Sequence, residues 1–213
     1  ANTTADGNTA VGSSALVANT TGASNTAVGY TALGANTTGQ RSTVMGFNAG
    51  NACTTGSDNA IFGHEAGGGI TTAIENTYVG YYAGNLNTTT NYNTGVGSGA
   101  LQRHTTGTRN TAIGARSLDA ATTSSDNTAM GYDALGANTT GASNVAIGSY
   151  AGSALTEGDN NLLLGKGAGI VGAPGGAFTT DDNQIVLGND SSANAFIKID
   201  WTVGSDQRDK TDI

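Results

Sequence analysis

One glycine recurs at an unbroken interval. Gly12, Gly29, Gly46, Gly63, Gly80, Gly97, Gly114, Gly131, Gly148 and Gly165 stand 17 residues apart. Neighbouring positions keep the same step. An apolar residue directly precedes each glycine: Val11, Val28, Met45, Phe62, Val79, Val96, Ile113, Met130, Ile147 and Leu164. Asparagine lies four residues before it from Asn8 to Asn161, with Ser42 as the exception. Alanine lies three residues after it from Ala15 to Ala168, with Ser117 as the variant. A Thr-Thr pair recurs from Thr20-Thr21 to Thr139-Thr140.

A unit of 17 residues rich in Gly and Asn cannot contain the paired helices of the common helical repeats. Gly and Asn accept positive φ and mark turns, while the alternation of apolar positions suits short extended segments. Each repeat therefore reads as one coil of a parallel β-solenoid, or β-roll, with two short strands and two turns. The fold class is all-β. Coils stacked about 4.8 Å apart make a rod on the order of 50 Å long. Stacking in register also explains the strict interval. Asn above Asn forms an amide ladder, Ala and Val columns pack as a dry strip, and an insertion must bulge out at a turn. One insertion is visible: after Gly165 the equivalent glycine is Gly188, and the six extra residues fall in the Gly172–Gly176 stretch. The chain divides accordingly into a repeat shaft (1–170), a terminal coil with an inserted loop and junction (171–204), and a short polar end (205–213).

Composition narrows the function classes. Charged residues make up 11% of the chain, aromatics 6%, and there are 34 Gly against one Pro. Disordered chains are rich in charge and proline, so this composition fits an ordered backbone around a narrow interior of small side chains. The formal charge is −8 and no basic cluster exists to neutralise phosphates, which argues against nucleic-acid binding. No apolar run approaches the roughly 20 residues of a membrane span, and no signal peptide is evident. Because Ala1 falls partway through a repeat, the chain reads as a piece of something longer. So thin an interior favours association of chains, and solenoid surfaces need covering. Tyr30, Phe47, Tyr81 and Tyr132, each directly after a repeat glycine, are candidates for core, interchain contact or display, with interchain packing first among these.

Asn25-Thr26-Ala27-Val28-Gly29-Tyr30-Thr31-Ala32-Leu33 resembles the head repeats of trimeric autotransporter adhesins, and still more the related repeats of bacteriophage tail fibres. The resemblance covers roughly residues 1–170. It implies a homotrimer in which three β-rolls pack about a threefold axis. A second, shorter likeness lies at the other end. Ser205-Asp206-Gln207-Arg208-Asp209-Lys210-Thr211-Asp212-Ile213 is similar to the opening of the endosialidase-type intramolecular chaperone of phage tail spikes and fibres, whose pattern is Ser-Asp-x-Arg-x-Lys-x-x-Ile. That domain assembles three chains and then cuts itself off beside its serine. By this resemblance Ser205 is the nucleophile and Lys210 the base of a single self-cleavage, a chemistry available to a serine beside a desolvated lysine. In that family the helical body of the domain would continue past the position of Ile213. Two readings stay open for 205–213, the start of the chaperone or a polar tail.

Other chemistry is sparse. Cys53 reads as a small buried apolar residue, being the only cysteine and so without an intrachain partner. His64 and His104 occupy different columns and read as surface residues. Asp58, Asp126 and Asp159 read as solvated turn residues, since the Gly-Gly-x-Gly-x-Asp pattern of calcium-binding β-rolls is missing. No metal or cofactor is expected. Asn-x-Thr sequons such as Asn19-Thr20-Thr21 read as ladder residues. The Thr-Thr pairs suit either hydrogen bonding between coils or, as a minor alternative, an ice-binding solenoid face.

The expected function is thus structural and adhesive. The chain reads as a tail-fibre segment on the outside of a virion, self-associating and presenting a contact to a host receptor, glycan or outer-membrane component. The alternative is a bacterial surface adhesin head of the same architecture. Catalysis on an external substrate is not expected.

Overall fold

The computed structural model describes residues 4–170 and 177–189. Eleven three-residue strands follow one another: β1 (Thr9–Val11), β2 (Thr26–Val28), β3 (Thr43–Met45), β4 (Ala60–Phe62), β5 (Thr77–Val79) and β6 (Thr94–Val96). They continue as β7 (Thr111–Ile113), β8 (Thr128–Met130), β9 (Val145–Ile147), β10 (Leu162–Leu164) and β11 (Ile185–Leu187). All join one parallel sheet in sequence order, and the register pairs each residue with its repeat equivalent, as in Ala27 with Val44. No helix occurs among the described residues. The protein is a parallel β-solenoid of 17-residue coils.

Each coil carries one strand, where two were expected from the alternation. The reason lies in the backbone of the remaining residues. In the β2 coil Thr31, Leu33 and Arg41 have φ of 50°, 52° and 52°, and a left-handed residue ends an extended run. The turns nevertheless hydrogen-bond from coil to coil as a sheet does: Leu16 N–H donates to Ala32 O and Ala18 N–H to Gly34 O. These bonds hold the costly left-handed residues in place.

The repeat glycine is fixed twice over. Gly12 has φ +123°, and a Cβ built on it would stand 2.6 Å from the carbonyl oxygen of Gly29. The same contact recurs down the column from Gly29 to Gly131. A side chain there would push adjacent coils apart, so the interval follows from the stacking.

Asparagine does more than cap a turn. In the column four residues before the repeat glycine, each asparagine from Asn8 to Asn144 accepts, through Oδ1, the backbone N–H of the equivalent residue in the next coil at 2.9–3.1 Å, as Asn8 does from Asn25 and Asn144 from Asn161. Its Nδ2 donates across the coil to a turn carbonyl, such as Gly39 O from Asn25 and Ser124 O from Asn110. A one-residue slip would break every such bond and leave buried polar groups unpaired at roughly 1–3 kcal/mol each.

The middle strand residue points inward and the two flanking ones outward, as a pleat requires. Ala27, Val44, Ile61, Tyr78, Ala112, Ala129, Ala146 and Leu163 are fully buried. The interior is less uniform than its alanine content implies, since Tyr78 is its largest fully buried side chain and leucines enter from the turns. Of the two columns expected to pack as a dry strip, Ala lies inside and Val on the outer face. After the insertion the register resumes unchanged: Leu162 pairs with Ile185, and Asn161 Oδ1 accepts Gln184 N–H at 2.8 Å. The Gly172–Gly176 stretch, and the junction after Asn189, lie outside the described residues.

Candidate functional site

The outer face of the sheet carries a continuous column of apolar residues. The residue before each glycine stands on it, giving a column of Val11, Val28, Met45, Phe62, Val79, Val96 and onward to Leu187. Every member is apolar. Several are well exposed, Val11 at 56% and Leu187 at 46% among them. The parallel column is Thr from Thr9 to Thr128, with Ala60 interposed, and becomes Val145, Leu162 and Ile185 toward the last coils. All-parallel sheets occur almost only with both faces covered. Here one face is covered by the coil's own turns, and the other carries an uninterrupted apolar stripe.

Beside the stripe runs an aromatic ladder. Tyr30, Phe47, His64 and Tyr81 follow the repeat glycine in successive coils, and their rings stack at centroid separations of 5.3, 5.1 and 5.3 Å. Tyr82 meets Tyr81 edge-on at 4.3 Å, and Tyr132 meets Tyr150 edge-on at 5.2 Å. Of the three roles open to Tyr30, Phe47, Tyr81 and Tyr132, core is excluded, because all four are exposed. His64 belongs to this ladder rather than standing alone. Past Tyr81, a cleft of about 270 Å³ opens between Tyr81, Tyr82, Ser98, Gln102, Arg116 and Asp119.

His104 is a correction. It is fully buried, with Nε2 3.0 Å from Ser124 O and Nδ1 3.3 Å from Asn87 Oδ1. Its column is an interior one, shared with Asn19, Asn36, Cys53, Asn87 and Leu155. Burial holds its pKa below the ordinary histidine value. Cys53 is buried as expected, and desolvation pushes its thiol up to about 11, which leaves it unreactive. Asp58 and Asp126 are not simply solvated. Each is gripped at two oxygens by the arginine of the preceding coil, Arg41 and Arg109 respectively, at 2.6–2.8 Å. The guanidinium bonds hold both carboxyls below the usual range. Asp159 is exposed and accepts Ala142 N–H at 2.7 Å. Among the described residues no group of three or more His, Cys, Asp and Glu is placed to hold a metal ion.

The Thr-Thr pairs divide their roles. The first hydroxyl, from Thr20 to Thr156, donates to the carbonyl of its equivalent in the next coil at 2.8–3.2 Å. The second, from Thr21 to Thr140, is exposed. Cross-coil bonding accounts for the regular spacing of the first. Ser205 and Lys210 lie outside the described residues. Sequence reasoning did not single out Tyr82, Gln102, Arg116 or Asp119, because no repeat column marks them. No family model, curated protein or solved structure matches this chain.

Proposed function

We propose that this chain is the shaft of a homotrimeric fibre of the phage tail-fibre type, whose work is mechanical and adhesive. The apolar stripe carries the reading. It needs a cover along its whole length, and a surface repeating at the same coil interval matches it best. A second copy of the same chain has that surface. Identical chains close into rings around an axis, so three stripes meeting at one axis would bury every outer sheet face. The number three comes from the resemblance of the Asn25–Leu33 unit to adhesin-head and tail-fibre repeats. A rod built this way holds a receptor-binding element away from the particle, or presents a repetitive surface to a glycan or outer-membrane component of a host. In the full-length product, Ser205 and Lys210 would carry a single self-cleavage, and replacing either by Ala should abolish release of a C-terminal fragment.

Sedimentation equilibrium tests the assembly. The native particle should have a mass near three times the 21.0 kDa of one chain. Ile113→Asp combined with Met130→Asp should reduce it to single chains, whereas Thr106→Asp, away from the stripe, should not. A wild-type particle of 21.0 kDa would sink the reading.

A further inference from the structure

The aromatic ladder stops at Tyr81 because the next two residues in its column are Ser98 and Ala115. One face of Tyr81 stacks on His64 at 5.3 Å, and its other side borders the cleft of about 270 Å³ over Ser98. The floor is Gly99, held at φ +67°, where a Cβ would come within 3.4 Å of the Gln102 side-chain oxygen. The wall is formed by Arg116, which also interacts with Tyr132, and by Asp119, whose Oδ1 has unused bonding capacity. Arg41 and Arg109 grip their aspartates at 2.6–2.8 Å. Arg116 does not: the nearest oxygens of Asp133 and Asp119 stand 3.7 and 3.9 Å away, beyond good hydrogen-bond length. Asp119 Oδ1 is buried without a hydrogen-bond partner, and burial raises its pKa.

We infer that this cleft is a binding site for a neutral saccharide. A sugar ring offers an apolar C–H face and a rim of hydroxyls that both donate and accept. The Tyr81 and Tyr82 rings match the first, and Gln102, Arg116, Asp119 and Ser98 match the second, with bonds to charged partners the strongest. An aromatic wall with a few convergent polar groups is the usual makeup of a small-molecule site. Competing classes fit less well. An apolar ligand would cover Asp119 Oδ1 without giving it a hydrogen bond, which is costly. A phosphate or acidic sugar would meet Asp119 and Asp133 on a chain of net charge −8. The biological setting rests on the adhesive-shaft reading, but the geometry of the cleft does not.

The test is saturation-transfer NMR on the wild-type particle. Its probes are the methyl glycosides of glucose, galactose, mannose and N-acetylglucosamine, with glucuronic acid as the acidic comparison. At least one neutral glycoside should bind. Ser98→Tyr should weaken that binding roughly tenfold or more, because it fills the cleft and extends the ladder, while particle mass and melting temperature are kept. Gln102→Ala should weaken it about fivefold by removing one hydrogen bond of about 1 kcal/mol. Binding by none of the four, binding by glucuronic acid alone, or undiminished affinity in Ser98→Tyr would each overturn the site. A three-chain particle that binds no sugar would remove the cleft and leave the shaft reading standing.

Discussion

The coils of β3–β5 and those of β7 and β8 fill the same interior with opposite choices. In the first stretch the strand supplies the bulk, through Val44, Ile61 and Tyr78, and the turn position opposite is Gly50, Gly67 or Gly84. In the second the strand carries Ala112 and Ala129, and the turn supplies Leu118 and Leu135. The exchange is steric. A Cβ on Gly84 would stand 2.6 Å from the Tyr78 ring, and one on Gly50 would touch Val44 and Ile61 at 3.5 Å. The backbone is the same in both, with φ of 59° at Gly84 and 50° at Leu118 and Leu135. Coils therefore share a main-chain path and its hydrogen bonds, while side-chain volume is balanced within each coil.

The largest effect should come from breaking that balance. Tyr78→Ala opens a cavity and should destabilise by about 3–5 kcal/mol. Gly84→Leu alone should clash with the ring and cost about 1–3 kcal/mol. Together they convert the β5 coil into the β7 type, and denaturant unfolding should show the pair recovering about 2 kcal/mol relative to additivity. Strict additivity would mean that the two stretches are not equivalent solutions. A smaller effect sharpens what they share. Asn76→Ala and Asn127→Ala each delete an Oδ1 that accepts the next coil's N–H at 3.0 and 2.9 Å, and each should cost about 1–3 kcal/mol. The two costs should agree, although one coil is packed from its strand and the other from its turn.

The smallest effect concerns the coil between the two stretches. Burial lowers the His104 pKa from its ordinary value of 6.5, so the unfolded chain takes up the proton more readily than the folded one. Stability from this group is complete above pH 6.5 and declines as pH falls toward the lower folded value. The slope is at most about 1.4 kcal/mol per pH unit. Thermal melts between neutral and mildly acidic pH should show it, and His104→Asn, the residue found at Asn87 in the same column, should flatten the profile.

Much of the fold was legible because stacking writes itself into the sequence at a fixed interval. The glycine, Asn and first-Thr columns each have a contact with the next coil that only one or two residue types can make. What the interval does not encode is direction. Alternation places Ala27 and Val28 on opposite faces without saying which is inside, and hydrophobicity alone favours the larger. The larger residue is outside because Leu33 and Asn36 already fill the interior from the turns. The second strand was misread for a related reason: Leu33 in a left-handed conformation runs against leucine's own preference and is imposed by neighbouring coils. His104 was misplaced by its chemistry, although its column-mates Asn19 and Asn87 are buried polar residues too. The cleft beside Tyr81 was not legible, because it arises where one column stops and side chains of two later coils reach across.

The coil spacing itself can be measured with spin labels at Thr38→Cys and Thr140→Cys, two exposed positions six repeats apart. Cys53, buried and with its thiol pushed up to about 11, would not compete for the label. With labelled chain diluted into unlabelled chain, pulsed electron paramagnetic resonance should give one narrow distance of about 29 Å, six steps of about 4.8 Å. A broad distribution, or a mean displaced by more than about one strand step of 4.8 Å, is incompatible with identical residues stacked in register.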